Sequence, residues 1–495
     1  MAKTNDRVKT KGEVFTPRYV VDMMLSLADY HGEKILEKHV MDNSSGAGMF
    51  LERIVEEYAK AYYEKYGTYK GLKRHLEKYI HGIEISKNNV NVSIQRLNIL
   101  LKSYYNIDSM DRNMESKVDW DIRCENTLEV CDEYYGKMDY VFANPPYVRI
   151  HNIPDFDRGL LHKFSFARNG MSDLYLAFYE IGFKMLSDDG KMCYISPGSW
   201  FKSVAAREMR EYIFESGEIT LRSLIDFGHF QPFTGITTYV AVAMFDKEEG
   251  GNRSVYELSE DGMTMIGNGD LSIEVSDKYH EIRIRNKHDI VVPEGNRTEN
   301  LIKVRNGFAT LADKVFICDN IDTNNGVIDV IKAQTNEWHR CIFPYNLSTV
   351  KPICEYDFAE DSPTAYNYLC KYHDKLHDRS IDDPDENWYL FGRTQGLNDL
   401  NRYKISVQSL VKDPYSIKMS LVEPGCGVYG GLYVVSDDEN ISAEELYSLM
   451  DKNLRSVDFM KYVQSLRHYK SGGYYTFNSK ELENYLNYKV YGKMD

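Results

Sequence analysis

An asparagine, two prolines and a tyrosine in succession, Asn144-Pro145-Pro146-Tyr147, form the segment of this 495-residue chain with the most sharply defined chemistry. Each proline fixes its own backbone and lacks an amide donor, which leaves carbonyls available in set directions. The Asn144 side-chain oxygen and the Pro145 carbonyl are then two acceptors suited to both hydrogens of one exocyclic amine. Holding both hydrogens draws the nitrogen lone pair out of conjugation and makes a poor nucleophile reactive. Tyr147 adds a flat face for the ring that carries the amine. The plainer reading of the same four residues is a rigid turn after a strand.

A second group lies earlier. Asp42 is followed by Asn43-Ser44-Ser45-Gly46-Ala47-Gly48, an acid before a Gly-x-Gly turn, which brings backbone close to a ligand. The spacing is not Gly-x-Gly-x-x-Gly, so a dinucleotide is disfavoured. Glu84 is placed to accept from ribose hydroxyls, or else to cap the helix that follows it.

These residues need a scaffold. Residues 138–143 are apolar and predict a strand running into the Asn-Pro-Pro-Tyr loop, at the sheet edge where open α/β proteins bind ligands. Residues 40–42 predict another strand, and 49–66 a helix with Phe50, Leu51, Ile54, Val55 and Tyr58 on one side. Strands are further expected at 79–85, 191–197, 224–227 and 239–245, with helices at 88–101 and 172–186. One lengthened helix around 58–76 would account for the long stretch between Asp42 and Glu84. Repeated β–α units with buried, non-alternating strands imply an α/β fold built on a doubly wound sheet. The pattern changes after Phe245, and the charged run 246–251 predicts a boundary between domains 1–250 and 251–495. The second reads as a mixed α/β domain, with residues 382–387 as a solvated loop.

Composition narrows the class. Hydrophobic residues make up 43% and charged residues 27%, ample for real cores. No apolar run reaches the roughly 18 residues of a membrane helix, so no membrane association is expected. The polar start, Met1 to Arg7, predicts a cytoplasmic protein, and eight cysteines do not suggest a disulfide framework. The net charge of −15 weighs against non-specific coating of nucleic acid, which draws mainly on phosphate contacts.

Taken together, the motifs resemble a DNA adenine-N6 methyltransferase of the type that accompanies restriction systems, in the order cofactor half, catalytic half, recognition domain. Gly12 to Met24 is similar to the family's N-terminal motif, which implies that Phe15, Thr16 and Pro17 close over the methionine end of S-adenosylmethionine. Asp42 to Leu51 resembles Asp-Pro-x-x-Gly-x-Gly-x-Phe-Leu, with Asn43 in place of the usual proline, and implies cofactor contacts from Asp42, Ser44, Gly46, Gly48 and Phe50. Gly82-Ile83-Glu84-Ile85 resembles the ribose motif, implying Glu84 and Ile85. Asn144 to Tyr147, extended by Val148 and Arg149, resembles the catalytic motif, and Ser172 to Phe178 the helix after it. Phe233 falls where the family places a second aromatic against the flipped adenine. The usual acid for the cofactor adenine is replaced, and Asn126, or Glu125 in a slipped register, is expected there.

The resemblance implies double-stranded DNA as substrate and a restriction endonuclease as cognate partner. The alternatives are a methyltransferase acting on RNA or protein glutamine, and an inactive specificity subunit. In the second half, Arg393 and Gln395 are of suitable types for guanine and adenine edges. Arg467 and Lys470, in a basic run with Arg455, Lys461 and His468, are candidates for phosphates, as is Arg149. Cys354, Cys370, His373 and His377 have ligand types for zinc but lack a Cys-x-x-Cys start, so no metal is assigned.

Overall fold

Strands β1 (Val40–Asp42), β2 (Ile80–Ile83), β3 (Asp121–Arg123), β4 (Met138–Ala143), β5 (Leu186–Pro197), β6 (Thr220–Asp226), β7 (Val240–Asp246), β8 (Ser254–Leu258) and β9 (Met265–Gly267) join one sheet. Their order is β3-β2-β1-β4-β5-β7-β6-β8-β9 among the described residues. This computed structural model describes residues 15–105, 118–149, 152–153, 155–168, 173–233, 238–250, 253–258, 262, 265–267, 270–277, 279–292 and 300–492. Gly12 to Val14 and Ser172, quoted above within motifs, lie outside them.

Strands β1 to β5 run parallel and β7 runs antiparallel to both β5 and β6. Alternate residues feed two separate cores. Val40, Phe142, Cys193, Ile195 and Val242 belong to one, and Met41, Val141, Met192, Tyr194 and Ala243 to the other. A sheet buried on both faces explains why β7 is apolar along its length without alternation. The expected doubly wound α/β sheet is therefore present.

Helices α1 (Arg18–Leu27), α2 (Met49–Tyr66), α3 (Leu72–Tyr79), α4 (Lys87–Tyr105), α5 (Thr127–Val130), α6 (Asp155–Leu161), α7 (Leu174–Met185) and α8 (Arg207–Glu215) are described in the first half. Helix α2 buries Phe50, Leu51, Ile54, Val55, Tyr58, Ala59 and Tyr62 at helical spacing. Each large side chain so buried stabilises the fold by about 1.5–3 kcal/mol. The single long helix expected around 58–76 is instead two. Helix α2 stops at Gly67, left-handed at φ 69°, and α3 starts after Gly71 at φ 96°. Tyr62 sends its hydroxyl to the Lys70 carbonyl at 2.7 Å and closes the corner.

Two compact units divide between Lys287 and His288, later than the boundary expected at Gly250. The reason is pairing: β8 adds in parallel to β6, and the hairpin of β10 (Leu271–Val275) and β11 (Ile282–Asn286) inserts Ile282 and Ile284 into the first unit's core. Buried Arg210 of α8 donates to the Tyr279 carbonyl at 3.1 Å and ties this hairpin down.

The second unit has an antiparallel four-stranded sheet of β12 (Ile302–Asn306), β13 (Lys404–Val407), β14 (Met419–Val422) and β15 (Leu432–Ser436), ordered β12-β15-β13-β14. Helices Ala443–Leu454 and Ser479–Tyr491 begin with full capping boxes, Ser442 with Glu445 and Asn478 with Glu481. No helix among the described residues is long and apolar enough to cross a membrane.

Candidate functional site

A cavity of about 870 Å³ opens in the first unit at the carboxyl ends of β1, β2 and β4. Of the residues expected to touch cofactor, Phe15, Thr16, Ser44, Gly46, Phe50, Glu84, Ile85 and Asn126 line it. Asn144 and Pro146 of the expected catalytic loop line the same space.

The turn after β1 forms one wall. Gly46, at φ 50°, has open space where a Cβ would sit, so any side chain there projects toward the cavity. Gly48 serves differently: it is left-handed at φ 84°, and a Cβ would lie 2.3 Å from Ser93 Oγ of α4. It permits close helix packing and does not line the cavity. Asp42 also lies behind the wall, fully buried, with its Oδ1 accepting from the Ser44 amide at 3.2 Å. Burial, helped by the nearby Glu84 charge, pushes its carboxyl up to about 8 against that one hydrogen bond.

Glu84 joins two loops. Its Oε2 accepts from the Gly46 amide at 2.9 Å, and its Oε1 from the Ser86 amide at 2.8 Å and Asn89 Nδ2 at 3.4 Å. The carboxylate is thereby oriented at the cavity wall. Asn126, expected to meet an adenine amine, uses its Oδ1 to cap α5 through the Leu128 amide at 3.1 Å. Glu125 is ion-paired with Arg123 at 2.7 Å. Asn126 thus remains on the wall, while its oxygen has a helix to hold.

The catalytic loop follows β4 directly. Asn144 Nδ2 donates to Thr16 Oγ1 at 3.1 Å, and Ser44 Oγ donates to the Asn144 carbonyl at 3.2 Å. The loop is therefore bonded both to the segment before α1 and to the turn after β1. Pro145 is buried. Tyr147 donates to the Ile195 carbonyl at 3.2 Å and meets buried Phe233 edge-on, centroids 6.5 Å apart at 63°. Burial raises the Tyr147 phenol well above its ordinary range, so it stays a neutral donor. Pro17 caps α1, with its carbonyl accepting from Val20 and Val21.

Several lining residues were not among the expected cofactor contacts, among them Asn43, Asn88, Asn89, Leu128, Ile153 and Phe178. Asn88 and Asn89 carried a usable signal, being polar residues just after a strand-end acid. Phe178 closes the motif that resembles the helix after the catalytic loop, and Ile153 carried no signal, since only the fold brings it to the cavity.

Residues expected to meet DNA lie on separate elements, Arg149 in the first unit and the others in the second. Arg149 is exposed and its backbone bridges to Asp173. Arg393 and Gln395 are both exposed, between Gly392 and Gly396, whose missing side chains admit Leu311 and the Gly307–Phe308 backbone. Lys470 is exposed in β16 (Tyr469–Lys470), and Arg467, at φ 54°, donates to the Tyr469 hydroxyl at 3.3 Å. Arg455 is bonded to Asp451 at 2.7 Å. Cys354 caps a helix through the Asp357 amide and His377 pairs with Asp385 at 2.9 Å. Among the described residues no three His, Cys, Asp or Glu side chains form a group able to hold a metal.

Residues 78–233 match the family described as Eco57I restriction-modification methylase. The Type II methyltransferase M.BstVI of Geobacillus stearothermophilus is 27% identical over 245 residues, 48% of this chain and 42% of that protein. The Type II restriction enzyme and methyltransferase RM.Eco57I of Escherichia coli is 26% identical over 316 residues, 53% of this chain and 31% of that protein. The match thus spans less than half the length of either relative. Among solved structures, the Type IIL restriction-modification enzyme MmeI in complex with DNA shares the fold at a TM-score of 0.61 and 12% identity, over 94% of this chain and 63% of that one. The Asn-Pro-Pro-Tyr loop and the ribose-motif acid both fall inside the matched segment, so the part of the first unit that holds the cavity is similar to restriction-modification methylases of the Eco57I type.

Proposed function

We propose that the chain methylates the exocyclic N6 of adenine in double-stranded DNA, on a base turned out of the duplex. The observation that carries this reading is the union of two motifs in one cavity: Asn144 of the acceptor loop is bonded through its carbonyl to Ser44 of the turn after β1. S-adenosylmethionine, when bound, supplies an electrophilic methyl group.

The residues present suit that cofactor. The volume is adequate for a ligand of its size, Gly46 leaves its side of the cavity open, and Glu84 offers an oriented carboxylate to hydroxyl donors. Phe15, Phe50, Ile85 and Leu128 give the apolar surface a purine needs.

On the acceptor side, Asn144 Oδ1 and the Pro145 carbonyl take the two amine hydrogens. Thr16 supports this reading by accepting from Asn144 Nδ2 and so orienting the side-chain amide. Tyr147, backed edge-on by Phe233, offers the ring face for an extruded base. The amine gives up its proton to solvent afterwards, so no strong base is needed. The second unit reads the target sequence, with Arg393 and Gln395 as base-contacting residues and Arg149, Arg467 and Lys470 near phosphates. A restriction endonuclease of the same specificity is the proposed partner.

A labelled methyl-transfer assay comparing duplex DNA, RNA and protein tests the reading. N6-methyladenine in duplex DNA is the expected product. Label on RNA or protein, with none on DNA, overturns it.

A further inference from the structure

We propose that strand β5 sets the spacing between the cofactor loop and the acceptor loop, holding one with Tyr194 and the other with the carbonyl of Ile195. Asn43 Nδ2, in the turn after β1, donates to the Tyr194 hydroxyl at 2.7 Å. Tyr147, in the acceptor loop, donates to the Ile195 carbonyl at 3.2 Å. Two consecutive residues of one strand therefore grip the two loops whose separation governs transfer. Tyr194 lies in one core and Ile195 in the other, so the strand is clamped on both faces where it does this.

The arrangement is built for the purpose. In strand order β4 lies between β1 and β5, and the β4 residue in register with Tyr194 is Ala143, whose single methyl obstructs little. On α7, a Cβ at Gly182 would stand 2.6 Å from the Tyr194 hydroxyl and 2.4 Å from Met192 Sδ. Glycine there gives the phenol its room. Asn43 is wholly buried, and its carbonyl accepts from Thr127 Oγ1 at 2.7 Å, which brings a third loop into the same node. The next β5 residue, Ser196, is bonded to Tyr179 at 2.8 Å and braces the end of the strand. The turn that carries Asn43 is held by its hydrogen bond to Tyr194 across the sheet. Asn43 and Tyr194 are positioning residues, acting on the reaction through the loops.

The inference rests on the proposed function only for its kinetic half. Cofactor affinity by calorimetry, single-turnover methyl transfer to duplex DNA, and thermal midpoint are measured for wild type, Tyr194→Phe, Tyr147→Phe and Gly182→Ala. Tyr194→Phe is expected to weaken S-adenosylmethionine binding about tenfold, the order for orphaning one buried donor, with the transfer rate at saturation within about twofold. Gly182→Ala should reproduce that loss. Tyr147→Phe is expected to slow transfer about tenfold with affinity within about twofold. Unchanged affinity in Tyr194→Phe, or losses in all variants that merely follow a falling thermal midpoint, overturns the proposal. A wild type that binds the cofactor but methylates no DNA overturns the DNA reading and leaves the affinity comparison standing. A wild type that binds no cofactor overturns both.

Discussion

Asp42 and Glu84 are neighbouring carboxyls with opposite duties. Asp42 is sealed behind the cofactor turn with a carboxyl near 8, while Glu84 stands on the cavity wall among amide donors. In the unfolded chain an aspartate titrates near 3.9. The folded protein therefore holds a proton on Asp42 that the unfolded chain gives up, and stability falls as pH rises from about 4 to about 8. The slope is at most roughly 1.4 kcal/mol per pH unit. Asp42→Asn keeps an acceptor for the Ser44 amide and removes the titration, so it should be more stable than wild type at pH 9 and lose that advantage below pH 4. Denaturant titrations across pH check this; a variant no more stable at pH 9 contradicts it. Glu84→Ala is expected to weaken cofactor binding by about tenfold or more, the order for charged hydrogen bonds, and calorimetry reads it directly. At this scale the sequence was informative where chemistry is local: Asn144 to Tyr147 and Glu84 stand out by type and neighbours. Asn43 and Tyr194 did not, because their contact joins residues 151 apart through a buried hydrogen bond that no spacing rule anticipates.

Elements with strong periodicity were legible almost to the residue. Helix α2 and strand β4 occupy the ranges expected, since apolar spacing and flanking glycine or proline mark both ends. The misjudged stretch around 58–76 had continuous helical character, and the break rests on two left-handed glycines and a tyrosine–carbonyl bond. The boundary at 250 failed for a different reason. A charged loop looks like a linker, but β8 finds its partner in β6, and edge pairing leaves no mark in local composition. Gly48 gives a test at this scale. Gly48→Ala meets both a left-handed backbone and Ser93 Oγ at 2.3 Å, so roughly 2–4 kcal/mol of stability should be lost, with cofactor affinity falling as α2 and α4 part. Gly46→Ala, at a similar backbone angle but facing open space, should lose less stability while still lowering affinity.

The whole chain carries a net charge of −15, an unusual setting for a protein proposed to act on DNA. Few phosphate contacts and a larger share of base contacts reconcile the two. Lys470→Ala is therefore expected to weaken DNA binding evenly across sequences and to reduce the salt dependence of log affinity by about one. Arg393→Ala should instead cost about 1–3 kcal/mol on the target site alone and relax specificity there. Binding titrations over a salt series separate the two outcomes. The first unit was readable because its motifs sit on parallel strands. The second was not, because its antiparallel sheet and helices bury residues spread over the whole of 300–492. The central claim is that Asn144 holds an adenine amine for methyl transfer, and nucleoside analysis of duplex DNA after incubation with labelled S-adenosylmethionine tests it most directly. Wild type should yield labelled N6-methyladenine, and Asn144→Ala should lose it by several orders of magnitude while still binding cofactor. Equal yields from the two proteins, or label on any other base, would contradict the account.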